Sequence, residues 1–233
     1  MNIRIFSSID DPKLEQAWKE IYRKNRYFAQ NSYEWCLNWW NSFQNKHREL
    51  FIVAAMEGEQ IVGIGPFYIE NRFGFKNIKF IGAGLTDFHE LVVERDNFDH
   101  IVRNIIEYVL SFNQWDSVYF DQINENAKLY SVLKSEDLPL TEKFRVGCPI
   151  INFKDLKWDE FISNIDSKSL RQNFRRNLRK LKEVATVELV RVEEEEEFQN
   201  NMDEIFTLHI ERWGEQDEES KFSNPQIRAF LRK

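Results

Sequence analysis

Leu50-Phe51-Ile52-Val53-Ala54-Ala55-Met56 and Gln60-Ile61-Val62-Gly63-Ile64-Gly65-Pro66-Phe67-Tyr68-Ile69, joined by Glu57-Gly58-Glu59, decide how this chain folds. Both runs are rich in β-branched and aromatic side chains. The short polar connection is of the kind that closes a hairpin, so the two runs are predicted to be antiparallel neighbours. On their N-terminal side two helices are expected. In residues 11–24, Leu14, Trp18, Ile21 and Tyr22 recur at helical spacing, with Asp10 or Asp11 as N-cap and Pro12 in the first turn. Ser32 caps the second, where Trp35, Cys36, Trp39, Trp40 and Phe43 crowd one side while Asn38, Asn41 and Gln44 face away.

On the C-terminal side, a turn over Asn71 to Lys76 precedes a strand at Ile78 to Ile81, and Gly82-Ala83-Gly84 leads into a strand expected over Leu85 to Val93. A helix follows at Asn97 to Phe112 with Phe98, Ile101, Ile105, Val109 and Phe112 inward. Then come a short strand at Ser117 to Phe120, a helix at Glu125 to Ser135 and a strand at Phe144 to Phe153. This order describes an α/β (α+β) domain over residues 1–153, a mixed sheet with helices on both faces. A second unit, 154–233, has a helical run around Trp158, Phe161 and Ile162, and a longer helix from Ser167 to Val184. It continues with a strand at Val187 to Val192, a helix at Glu194 to Gly214 and a helical stretch opened by Pro225. One strand has no sheet of its own to join. Either it extends the first sheet or the second unit is incomplete, and the expectation here is truncation.

With 233 residues, 42% of them hydrophobic, the chain can build a real core, which excludes global disorder. Cys36 and Cys148 lie far apart without a CxxC or Cys/His spacing, so both are read as buried, reduced thiols. Met1 to Asp10 holds no signal-peptide run, and nowhere do about 18 apolar residues follow one another. A soluble, cytoplasmic protein is expected. A net charge of -7 argues against a protein devoted to coating nucleic acid, although local basic faces stay open.

One such face lies on the helix at 167–184. Leu170, Phe174, Leu178, Leu181 and Val184 form its expected buried stripe. Lys168, Arg171, Arg175, Arg179 and Lys182 recur at spacings that let several cations act on one anion, with Arg176 and Lys180 alongside. The face reads either as a surface for phosphate, RNA or an acidic glycan, or as a solvated face balanced by Glu193 to Glu197 and by Glu211, Glu215, Asp217, Glu218 and Glu219. A second candidate is Thr86-Asp87-Phe88-His89-Glu90. On a strand Asp87 and His89 would point to the same side, where a carboxylate beside an imidazole can act as a general base. Asp87 is preferred because the glycine turn leaves space in front of it; the alternative is a polar strand end that pairs locally. His209 shares a helical face with Phe198, Met202, Ile205 and Trp213 and reads as a satisfied core residue. Arg212-Trp213 beside it is a pairing that can hold a carboxylate or phosphate. Gly82-Ala83-Gly84 is a bare GxG that permits a bend or bulge, and there is no P-loop, GxSxG or HExxH.

Trp35 with Trp39-Trp40, Val62 to Phe67, Phe80-Ile81-Gly82 leading to Asp87, Cys148-Pro149-Ile150, Trp158, Ser169-Leu170-Arg171, Arg175-Arg176 with Leu181, and His209 with Arg212-Trp213 follow a recognisable order. In that order and spacing the chain resembles the GNAT acetyltransferases of the CelD type, a family related to the Fem aminoacyltransferases of peptidoglycan bridge synthesis. The resemblance implies two tandem GNAT-like domains. It also implies acyl-CoA or aminoacyl-tRNA as co-substrate with no tightly bound cofactor, and a small-molecule, glycan or peptide acceptor between the domains. It implies an N- or O-acyltransferase acting on a cell-envelope or polysaccharide precursor. Asp87 and His89 would carry catalysis, and Arg171, Arg175, Arg179, His209, Arg212 and Trp213 would bind substrate or anion. The chain departs from the family in lacking the Gln/Arg-x-x-Gly-x-Gly/Ala donor turn. The competing expectation is therefore a non-catalytic or partner-dependent module that holds RNA or an anionic glycan through Lys168 to Lys182. Such a module would self-associate through the strand at Val187 to Val192.

Overall fold

The computed structural model of the chain describes residues 1–25, 27–135, 138, 140–144, 146–147, 156–186, 188, 190–216 and 218–233. Its elements, in chain order, are β1 (Asn2–Phe6), α1 (Pro12–Asn25), α2 (Tyr33–Phe43), β2 (Arg48–Glu57), β3 (Gln60–Arg72), β4 (Phe75–Phe80) and β5 (Val92–Val93). There follow α3 (Phe98–Ser111), β6 (Ser117–Tyr119), α4 (Lys128–Ser135), α5 (Trp158–Ser163), α6 (Lys168–Val184), α7 (Glu195–Gly214) and α8 (Pro225–Leu231). The chain divides into two compact units, Met1–Glu142 with Phe206–Lys233, and Lys143–Ile205, so that the cut passes through α7. The expected boundary after Phe153 lies outside the described residues, as do Cys148 and most of the strand expected at Phe144 to Phe153.

In the first unit the strands form one mixed sheet in the order β1-β2-β3-β4-β6, with β5 paired to β3. The predicted hairpin forms in antiparallel register from Arg48↔Glu70 to Glu57↔Gln60, with an irregularity at Ala55/Met56. Period-two alternation along β2 serves two cores at once. Leu50, Ile52, Ala54 and Met56 meet Trp18, Ile21, Trp39 and Trp40 of α1 and α2 on one face. Phe51, Val53 and Ala55 meet Ile101, Ile105 and Val109 of α3 on the other, together with Leu129 and Val132 of α4. Helices thus cover both faces, as expected. On β3, a Cβ at Gly63 or Gly65 would run into Ile101 or Ile105, so the bare backbone lets α3 approach closely. Ser32 caps α2 by accepting from the Trp35 N–H, which satisfies one of the helix's free donors.

Three features depart from the sequence reading. β1 is an additional edge strand, antiparallel to β2. Asn71 to Lys76 is no simple turn: β3 runs to Arg72 and β4 begins at Phe75, leaving the two-residue loop Phe73-Gly74 with φ of +53° and +88°. Positive φ at both loop residues is the twist that joins antiparallel strands tightly. Finally, the strand expected over Leu85 to Val93 shrinks to Val92–Val93. Across β2, β3 and β4 the polar residue Glu70, 4% exposed, accepts from Arg48 (Nη2–Oε1 2.8 Å) and Lys79 (Nζ–Oε2 2.7 Å).

In the second unit α5 and α6 form as expected, with Ser167 capping α6 at the Leu170 N–H. The stripe Leu170, Phe174, Leu178, Leu181, Val184 is not buried: no residue of α6 is, and Val184 is 82% exposed. Phe174 meets an edge-on Trp158 at 5.5 Å. Amphipathic spacing predicts a helix and the face it would bury, not whether a neighbour covers it. In the strand expected at Val187 to Val192, Val187 and Leu189 lie outside the described residues, and the others belong to no strand.

Candidate functional site

β4 and β6 run parallel, Asn77 to Lys79 against Ser117 to Tyr119, so the chain after Phe80 and the chain after Tyr119 leave the sheet side by side. After β4 the backbone turns through Gly82 and Gly84, whose φ values of +103° and +91° suit glycine. The turn closes on itself: Ala83 N–H donates to Phe80 O, and Leu85 and Thr86 N–H both donate to Gly82 O. Ile81 N–H donates to Pro66 O. A Cβ on Gly82 would collide with Thr86 Oγ1 and sit 3.3 Å from His89 Nε2. At Gly82 the missing side chain therefore makes room for this chain's own side chains, while nothing lies within 4 Å of a Cβ built at Gly84.

His89 is 2% exposed and stacks on Phe80 at 4.9 Å with 8° between the planes. Its N–H donates to Gln122 O. The ring Nδ1 lies 3.0 Å from Asp121 O and 3.4 Å from Asp121 Oδ1, geometry that assigns the Nδ1 proton to the carbonyl contact. Nε2 is buried without a hydrogen-bond partner. Burial pushes the Asp121 carboxyl up, but the His89 imidazole beside it outweighs burial and holds the group below its usual range. Asp87, by contrast, is exposed on a bend. Phe88 lies between them with φ +61°, its ring stacked on Phe28, which breaks the strand alternation. Asp87 and His89 consequently do not face the same way, and the carboxylate beside the imidazole is Asp121. Asp121 follows a strand whose parallel pairing with β4 brings positions 89 and 121 together; only that pairing could have revealed it.

Glu90, part of the ionisable run but given no role from sequence, is 9% exposed. Burial pushes its carboxyl up to about 7, offset in part by hydrogen bonds from the Leu91 and Leu129 N–H groups and by the charge of Lys128. Its own N–H donates to Asn31 Oδ1. Thr86 Oγ1 accepts from Trp35 Nε1 at 2.8 Å, tying the loop to α2. Lys221 reaches the same loop, Nζ donating to Gly84 O at 3.3 Å.

Within α7 the Trp213 indole N–H donates to His209 Nε2 at 3.0 Å, which leaves Nδ1 to donate to Ser220 Oγ at 2.9 Å. Phe222 packs against the imidazole at 4.5 Å. Both ring nitrogens are thus engaged, in line with the satisfied-residue reading, and Trp213 spends its donor on His209 while Arg212 is exposed. On α6, Arg171 donates to the carbonyls of Ile165 and Asp166. Arg179 lies 3.8 Å from Glu183, and Arg175 is exposed. The helix carries seven Lys and Arg against one Glu, all but the partly covered Arg171 exposed. Among the described residues, no group of three His, Cys, Asp or Glu could hold a metal ion, and no helix is long and apolar enough to cross a membrane.

A phosphate cradle needs free N–H groups; at the glycine turn those of Ile81, Ala83, Leu85 and Thr86 are spent inside the fold, which leaves only those of Gly82 and Gly84.

No curated protein sequence matches the chain. Among solved structures, an aminoglycoside 6'-N-acetyltransferase complexed with coenzyme A is 20% identical with a TM-score of 0.28, covering 47% of this chain and 53% of that one. An aminoglycoside 6'-acetyltransferase type Ii is 20% identical with a TM-score of 0.29, covering 47% and 61%. An aminoglycoside antibiotic 6'-N-acetyltransferase from Acinetobacter haemolyticus is 12% identical with a TM-score of 0.36, covering 65% and 100%. The chain thus spans 53% and 61% of the length of the first two. Residues 168–233, from α6 through α8, match the family model described as the acetyltransferase (GNAT) domain.

Proposed function

We propose that the chain is an N- or O-acyltransferase, or a part of one, that moves an acyl group from an acyl-CoA or aminoacyl donor to an amine or hydroxyl acceptor in the cytoplasm. The observation that carries this reading is the match of residues 168–233 to the acetyltransferase (GNAT) domain. In the reaction the acceptor nitrogen or oxygen attacks the acyl carbonyl, the carbon–sulfur bond of a thioester breaks, and the thiolate leaves. The acceptor's proton goes to a base. Asp87 fits that duty best, as an exposed carboxylate on the loop that Lys221, a residue of the matched segment, contacts at Gly84. His89 acts as a positioning residue, fixing the loop to Asp121 and Gln122. Taken by itself, the cationic face of α6 with Arg175 and Arg179 favours an anionic substrate class, such as a phosphate-bearing cell-envelope or polysaccharide precursor. No step is assigned to the Gly82–Gly84 turn.

The test is thiol release from acetyl-CoA in the presence of a panel of amines and sugars. Asp87→Asn should lower turnover by about 100-fold with an unchanged melting temperature. Equal turnover in wild type and variant would remove Asp87 from the mechanism. A second reading, a module holding RNA or an anionic glycan, draws on the cationic surface of α6. Salt-sensitive binding of single-stranded RNA without any acetyl-CoA binding would favour it.

A further inference from the structure

The ladder between β2 and β3 ends at Arg48↔Glu70, and β6 pairs with β4 only from Asn77. Asn71↔Lys76 and Arg72↔Phe75 extend the β3–β4 ladder past its neighbours; Asn71 and Lys76 still bond to His47 and Asp116, and residues 72–75 form the hairpin tip beyond them. The tip is held firmly: Asn71 Oδ1 accepts from the Gly74 N–H, and the Lys76 N–H donates to Asp116 Oδ2 at 2.7 Å. Phe73 at its apex is 100% exposed and Phe75 is 65% exposed. Phe73 also adopts φ +53°, a conformation that Asn or Gly occupies at lower cost. Arg72 and Lys76 flank the two rings and are exposed. Lys46, also exposed, lies one residue from His47, whose carbonyl accepts from the Asn71 N–H.

We propose that this hairpin tip is an anchor for an anionic lipid surface. Two aromatic rings on a rigid, narrow projection enter the headgroup region, while the flanking cations stay at the level of the phosphates. The chain's net charge of -7 does not prevent this, because charges beyond about 8 Å are screened at physiological ionic strength and the cations stand beside the rings. Exposed cations beside two exposed rings match a surface that is apolar within and anionic at its edge, and this is what selects an anionic bilayer.

The experiment is co-sedimentation of the full chain with vesicles of phosphatidylcholine and phosphatidylglycerol in equal parts, and with vesicles of phosphatidylcholine alone. Wild type should sediment with the mixed vesicles at low salt and only weakly with the neutral ones. Phe73→Asn with Phe75→Thr, both suited to a hairpin tip, should weaken partitioning by about tenfold or more at an undiminished melting temperature. Arg72→Gln with Lys76→Gln should remove the preference for the anionic vesicles. Absence of sedimentation by wild type would overturn the proposal. So would equal sedimentation of the double Phe variant, which would assign vesicle binding to another surface such as α6. Wild-type self-association abolished by the Phe variant, without vesicle binding, would make the occupant a second copy and equally overturn it.

Discussion

Glu90 titrates unlike an ordinary surface carboxylate. Burial lifts its carboxyl to about 7 from an ordinary 4.5, so between those values the folded chain keeps a proton that the unfolded chain releases. A raised pKa in the folded state contributes stability that is fully present below about pH 4.5 and is lost as pH rises to about 7. At about 1.36 kcal/mol per pH unit, that contribution is about 3 kcal/mol. Glu90→Gln keeps an oxygen for the Leu91 and Leu129 N–H groups but cannot titrate. Urea unfolding across this interval should show wild type losing about 3 kcal/mol relative to the variant, and parallel stability curves would show that Glu90 does not titrate there. The same residues show how far sequence reasoning reaches at this scale. An ionisable cluster after a glycine turn was readable at 86–90, because the residue types stand next to one another. The partner of His89 was not, because Asp121 arrives through strand pairing and its spacing in sequence carries no sign of it.

At the scale of elements, period and turn chemistry made β2 and β3 legible together with the helices, since the sequence displays the spacing of each element's apolar face. What stayed hidden were features set by the neighbours: the left-handed Phe88 that cuts the strand after Thr86, the edge strand β1, and the absence of cover over α6. The Arg48–Glu70–Lys79 group joins three strands and is likewise invisible before the register is known. Burial pushes the Glu70 carboxyl up, yet hydrogen bonds from Lys79 and Arg48 prevail and hold it below its usual range. Arg48 also donates to the Phe43 carbonyl and lies over the rings of Trp39 and Tyr68. Arg48→Met should therefore destabilise the chain by about 3 kcal/mol, chiefly by leaving a buried carboxylate with one partner fewer. Adding Glu70→Leu should recover most of that loss, because the cost lies in the unpaired charge. Denaturant midpoints of the single and double variants decide it. If the double variant is less stable than Arg48→Met, the contribution of the group lies in geometry.

Over the whole molecule, burial is distributed very unevenly between the two units. The core residues of the sheet and its helices lie in Met1–Glu142 and Phe206–Lys233, whereas among the described residues of Lys143–Ile205 the one buried hydrophobic is Ile162. Helical stability in proteins comes mostly from packing of the apolar face, and an isolated helix of about 15 residues is marginal in water. α6 has the spacing of an amphipathic helix and the charge to solvate it, but not the packing. α3 has that packing: Ile101, Val102, Ile105 and Val109 are 2% exposed or less. Local opening should follow this difference, since free energies of opening range from near zero at poorly packed segments up to the global value in the core. Hydrogen exchange of the full chain should show the amides of α3 protected to the limit of global unfolding, and those of α6 exchanging at least about 100-fold faster. Binding of a polyanion to α6 should slow exchange there and leave α3 unchanged. Equal protection of the two helices in the free chain would mean that α6 draws its stability from contacts other than those of its apolar stripe.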